Sequence, residues 1–124
     1  MIIDGRNVNP NNEYSFPNKG NHSTYFLLEN NLTSLNKLFY SNNNIISITF
    51  SQIFDTKNII DMSYLFYNCT SLYFIDITYL NTENVKDMIR MFCLCQNLAF
   101  INISNFNTQN VTNMYRECFQ IVIL

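Results

Sequence analysis

Apolar residues recur along this chain with a long, fixed period. Asn58, Asn84 and Asn110 stand 26 residues apart, and Met62, Met88 and Met114 keep the same step. Phe66/Phe92, Cys69/Cys95, Leu72/Leu98, Ile75/Ile101, Ile77/Ile103, Leu80/Phe106 and Thr82/Thr108 complete the register. An earlier copy, residues 31–57, is one residue longer. There Leu32, Leu35, Leu38, Phe39, Ile45, Ile48 and Phe50 take the same places, and the extra residue is assigned to a loop near Gln52. Two patterns alternate within a copy. Ile59, Met62, Leu65 and Phe66, spaced by threes and fours, predict a short helical turn with Asn58 as N-cap and Asp61 in its first turn. Leu72, Ile75 and Ile77 then predict a strand, and "YLNTE" turns the corner.

A period of this length marks an array whose single units cannot bury their own apolar face and do so only by stacking. The expected fold is an α/β, leucine-rich-repeat-like solenoid. Each repeat is a short helical turn plus a strand, and the strands stack in a parallel sheet. Residues 1–24 carry no repeat and read as an N-terminal cap or linker. Residues 25–124 form the solenoid, with repeats 31–57, 58–83 and 84–109 and a partial one over 110–124. "YFLLEN", residues 25–30, is a candidate leading strand over the first coil. In the fourth copy the register slips: Cys118 stands where Phe66 and Phe92 require an aromatic, and Phe119 follows one place late. Open ends expose apolar side chains and unpaired backbone, so self-association through them is expected.

Composition narrows the function classes. Hydrophobic residues make up 48% of the 124 positions, enough for a core, while charged residues are 13% and the net charge is −2. The seven Lys and Arg are scattered, which argues against a nucleic-acid surface, since that requires a basic patch on the phosphates. No stretch reaches the ~18 apolar residues of a transmembrane helix, so no direct membrane insertion is expected. "MIIDGRNVNPNNEYSF" shows no basic start followed by an apolar run, so no signal peptide is read there.

The stretches "DMSYLFYNCTSLYFIDI" and "ISNFNTQNVTNM" resemble the BspA-like leucine-rich-repeat surface proteins, in the branch whose repeat reads roughly "NVTNMSxMFxxCxxLxxLDLSxFNT". The resemblance covers residues 31–124 and is strongest from 58 to 114. It implies a solenoid on the outside of a cell, with adhesion or partner binding and no catalysis. Three departures stand out: Asn42 replaces the Cys in the first repeat, "CLC" doubles it in the third, and the fourth is broken.

Candidate chemistry is sparse. Cys69 and Cys95 occupy equivalent positions and read as small buried residues in an internal ladder, and Cys93-x-Cys95 has no second pair at zinc spacing. His22, the only histidine, lies in a polar unrepeated segment. Asp55, Asp61, Asp76 and Asp87 are spread over the coil rather than converging, although Asp61 and Asp87 share a column and are expected to cap helical turns. Gly5 and Gly20 cannot make a phosphate loop. The chain reads as a non-enzyme with no cofactor and no metal. Five sequons begin at Asn21, Asn31, Asn68, Asn102 and Asn110, as expected by composition in a chain with 22 asparagines.

The strongest functional lead is the outward face of the strands. Alternation places Leu72, Ile75 and Ile77 inside, and stacks Thr49, Asp76 and Asn102 outside. Beside them run Ser47, Phe74 and Phe100, and Ile46, Tyr73 and Ala99. Aromatic residues are favoured contact anchors, so Tyr73, Phe74, Asp76, Phe100 and Asn102 are the candidate partner-binding residues. The expected role is a module for protein–protein or host cell-surface binding, placed on the cell surface or outside the cell by resemblance. The alternative is an intracellular leucine-rich-repeat scaffold with reduced cysteines.

Overall fold

The computed structural model describes residues 32–50 and 55–114, together with the backbone of three short strands before them. Those strands are β1 (Ile2–Ile3), β2 (Arg6–Asn7) and β3 (Thr24–Tyr25), and β1 pairs antiparallel with both others. The expected leading strand over 25–30 shares only Tyr25 with β3, and its remaining residues lie outside the described ones. So do His22, Gln52, Cys118 and Phe119.

The repeat builds a second sheet. β4 (Ser47–Thr49), β5 (Phe74–Asp76) and β6 (Phe100–Asn102) pair in parallel, in sequence order. Ile48 lies beside Ile75 and Ile75 beside Ile101, as the period requires. A second parallel ladder follows the same register through Ser34, Asp61, Asp87 and Asn113. Thr49 pairs with Asp76 at a step of 27, and the Phe50 N–H bonds the Asp76 carbonyl in that same register. The Thr56 hydroxyl meets the Asn81 carbonyl as that of Thr82 meets Asn107, so from Thr56 onward the step is 26. The register therefore changes between Phe50 and Thr56; Gln52 itself lies outside the described residues.

No helix occurs among the described residues, which corrects the helical half of the expected α/β repeat. Over residues 62–69 every second N–H leaves its own coil: Met62, Tyr64, Phe66 and Asn68 donate to the carbonyls of Asp87, Ile89, Met91 and Cys93 at 2.8–2.9 Å. The intervening Leu65, Tyr67 and Cys69 donate to carbonyls three residues back, at 3.1–3.3 Å. The first copy repeats this scheme, with Leu35, Lys37, Phe39 and Ser41 bonded to Asp61, Ser63, Leu65 and Tyr67. Geometry explains the outcome. Adjacent strands lie about 4.8 Å apart, while an α-helix is about 10 Å across, so a helix in every coil would force that side open. Here the turn side stays close, with the Phe39, Phe66 and Phe92 rings stacked at 5.5 Å. Successive tight turns keep the apolar spacing of threes and fours and release half the N–H groups to the next coil.

These turns need a left-handed residue at fixed places. Lys37, Tyr64 and Arg90 have φ of 58°, 56° and 53°, and Ser41, Asn68 and Leu94 have 54°, 58° and 64°. Each set occupies one position of the repeat, the third place of a turn of type II character. Only Asn68 belongs to a residue type that tolerates this region well.

Side chains complete the ladder. With no helix after it, Asn58 is not an N-cap; its counterparts Asn84 and Asn110 donate their amide groups to the carbonyls of Lys57 and Glu83 in the preceding coil, at 2.8 and 2.7 Å. Asp61 and Asp87 share a column, but each accepts the N–H two residues on, from Ser63 and Ile89, closing an Asx-turn rather than capping a helix. Buried Thr82 donates its hydroxyl to the Asn107 carbonyl and accepts the Asn107 N–H at 2.7 Å. Thr56 does the same with Asn81.

The core runs up the middle of the stack. In the second copy Ile59, Met62, Leu65, Phe66, Cys69, Leu72, Ile75 and Ile77 are fully buried. Of their counterparts, Leu35, Phe39, Met88, Phe92 and Leu98 stay buried, while Leu32, Ile45, Ile48, Ile101, Ile103 and Val111 are only partly so, towards the two ends of the described stack.

Two substitutions test this packing in urea unfolding. Thr82→Val keeps the shape but strands both backbone groups of Asn107, and is expected to cost about 1–3 kcal/mol; an unchanged midpoint would count against the pairing. Leu94→Asn relieves the left-handed strain at an exposed position and is expected to add about 0.5–1 kcal/mol, whereas Leu94→Val should destabilise.

Candidate functional site

Strand pairing fixes the outward face. Since β5 buries Ile75, its neighbours Phe74 and Asp76 point away from the core, and β6 does the same with Phe100 and Asn102. Tyr73, Phe74 and Phe100 are 48%, 38% and 44% exposed, and the Tyr73 and Phe100 rings meet edge-to-face at 5.3 Å. Ile46, also exposed, accepts the Tyr73 N–H on its carbonyl and extends the same apolar strip. The three aromatic candidates therefore come together as one surface.

Asp76 and Asn102 are register partners beside that strip, but their side chains are already engaged. The Asp76 carboxylate accepts both the hydroxyl and the N–H of Thr78, at 2.6 and 3.0 Å. Those bonds hold its carboxyl below the ordinary aspartate range. The Asn102 carbonyl oxygen accepts the Ser104 N–H at 3.2 Å. Both close the corner after the strand and frame the aromatic strip rather than reach out from it.

A second cluster lies on the turn side. Tyr40 stacks on Tyr67 with centroids 5.1 Å apart, and Tyr64 touches both rings at 6.5 and 5.5 Å. Lys37 Nζ lies 5.7 Å from the Tyr64 centroid and 5.8 Å from that of Tyr40, and the Arg90 guanidinium sits 5.9 Å from Tyr64. Sequence reasoning missed this group. Its signal was the Lys37, Tyr64, Arg90 column at steps of 27 and 26, hidden because a helical reading scatters residues that the turns line up.

Among the described residues no three His, Cys, Asp or Glu side chains converge as a metal site, and no helix is long and apolar enough to cross a membrane. An open hollow of about 320 Å³ lined by Thr78, Tyr79, Leu80, Asn81 and Asn105 contains no titratable pair. Residues 33–121 match the family model described as "Mycoplasma protein of unknown function, DUF285". The chain belongs to this family. No curated protein and no solved structure matches it.

The DUF285 match spans all three stacked coils and both surfaces described above. The three cysteines among the described residues fall into two kinds. Cys93 is disulfide-bonded. Cys69 and Cys95 are free, and their thiols donate inward to the carbonyls of Phe39 and Phe66, each at 2.9 Å. Burial pushes the Cys69 thiol up and that of Cys95 up to about 12. Both therefore stay protonated and poorly nucleophilic at neutral pH.

Alkylation with iodoacetamide at pH 8, read by mass spectrometry, is expected to spare Cys69 and Cys95 in the native protein and label both after denaturation. Rapid native labelling would contradict the interior column. Because the folded-state pKa of these acids is raised, their contribution to stability is full below the unfolded value and declines above it. For Cys95 that loss falls between pH 9 and about 12.

Proposed function

We propose that this DUF285 chain is a non-enzymatic, BspA-like leucine-rich-repeat solenoid that binds a protein or cell-surface ligand in the manner of an adhesion module. The observation that carries this reading is the exposed strip of Tyr73, Phe74 and Phe100 on the parallel strands. Soluble proteins scatter such residues singly, whereas contiguous aromatic surface on a rigid ladder supplies anchors at small entropic cost. Parallel backbone pairing leaves the strip little freedom to rearrange, so a partner meets a preformed surface. Asp76 and Asn102 contribute as a polar rim.

Location on the cell surface or outside the cell is proposed with it, on the resemblance of the repeat to the BspA-like surface proteins; an intracellular scaffold with reduced cysteines is the alternative.

The test is binding of the fluorescently labelled chain to cultured animal cells, with and without prior trypsin treatment of the cells. Saturable, trypsin-sensitive binding is expected. Phe74→Ala/Phe100→Ala should weaken it at least about tenfold while the unfolding midpoint changes little. Binding that the double variant leaves intact would remove the strip from the function.

A further inference from the structure

We propose that the turn side of the stack is a second docking surface, built around Tyr64, for an acidic peptide segment in polyproline-II conformation. It shares no residue with the strand-side strip and does not depend on it.

The rings come first. Tyr40, Tyr64 and Tyr67 form one contiguous aromatic surface with centroid separations of 5.1–6.5 Å; Tyr40 is exposed and the other two are half-buried. Surfaces of this kind accept polyproline-II segments, which are extended before binding and lose little freedom on it.

Charge then selects the sequence of the segment. Lys37 and Arg90 flank Tyr64, and among the described residues neither forms an ion pair. Neither cation has a carboxylate within ion-pair distance among the described residues, so a chain of net charge −2 presents two unpaired cations on one aromatic surface. An acidic ligand complements it, and Arg90 in particular suits a carboxylate.

Spacing selects the conformation. Lys37, Tyr64 and Arg90 occupy one position in three successive coils, so at sheet spacing their backbones span roughly 9–10 Å from the first to the third. A polyproline-II helix returns to the same face every three residues, after about 9.3 Å. Glutamates at i and i+3 therefore reach both cations while the prolines between them rest on the tyrosine rings.

The turns require positive φ at all three residues of this column, which fixes them at one place in each coil and lines them up as a cation–aromatic–cation column.

The experiment titrates the full chain with a fluorescein-labelled peptide, Pro-Pro-Glu-Pro-Pro-Glu-Pro-Pro, read by fluorescence anisotropy. Saturable binding is expected, weakened at least about tenfold by Tyr64→Asn, which suits the left-handed backbone and so keeps the fold. Lys37→Gln/Arg90→Gln should weaken it similarly, and the Glu→Gln peptide should bind about as poorly. Phe74→Ala/Phe100→Ala should leave peptide binding unchanged, which separates this surface from the strand side. Equal binding of the Gln peptide, insensitivity to Tyr64→Asn, or binding of heparin in preference to the peptide would each overturn the proposal, the last by assigning the surface to an anionic glycan.

Discussion

Everything in this molecule depends on backbone hydrogen bonds that pass from one coil to the next at a fixed chain separation. They run along the strands, along the bridge at Ser34, Asp61, Asp87 and Asn113, and through the turns between. A buried backbone group must find a partner, and a coil of 26 residues has too little regular structure to satisfy its own. The next coil supplies the partners, provided that it has the same path. That condition is what the sequence repeat encodes.

Close spacing on every side then dictates the rest. It excludes helices from the turn segment, lets identical rings stack, and demands left-handed residues at two places per coil. It also explains the chain's preference for Asn and Thr. These residues are short enough to bond backbone groups one coil away, as Asn84, Asn110, Thr56 and Thr82 do, or two residues on, as Asn81 and Asn107 do. Their abundance is therefore functional in the fold, whatever else shaped the composition.

The period made the stacking legible in advance. The pairing of Ile48, Ile75 and Ile101 and the interior column of Cys69 and Cys95 follow from aligning the copies. The helical turn did not survive, because spacings of threes and fours describe consecutive tight turns as well as a helix. Only the distance to the next coil distinguishes them, and a single copy carries no record of that distance. The same gap hid the Tyr64 column. The strand face was legible because two-residue alternation fixes orientation without reference to pitch. What alternation did not reveal is that Asp76 and Asn102 fold back onto their own corners.

Two faces thus emerge with different characters: an apolar aromatic strip on the strands and a cation-flanked tyrosine cluster on the turns. Both are held by the same ladder, so both stand or fall with it. The most direct measurement is a nuclear Overhauser spectrum of the isotopically labelled chain. The account predicts contacts from the Ile75 methyls to both Ile48 and Ile101, and from the Phe66 ring to both Phe39 and Phe92. A spectrum in which Ile75 meets neither isoleucine, while each copy shows only contacts within itself, would contradict the stacked arrangement.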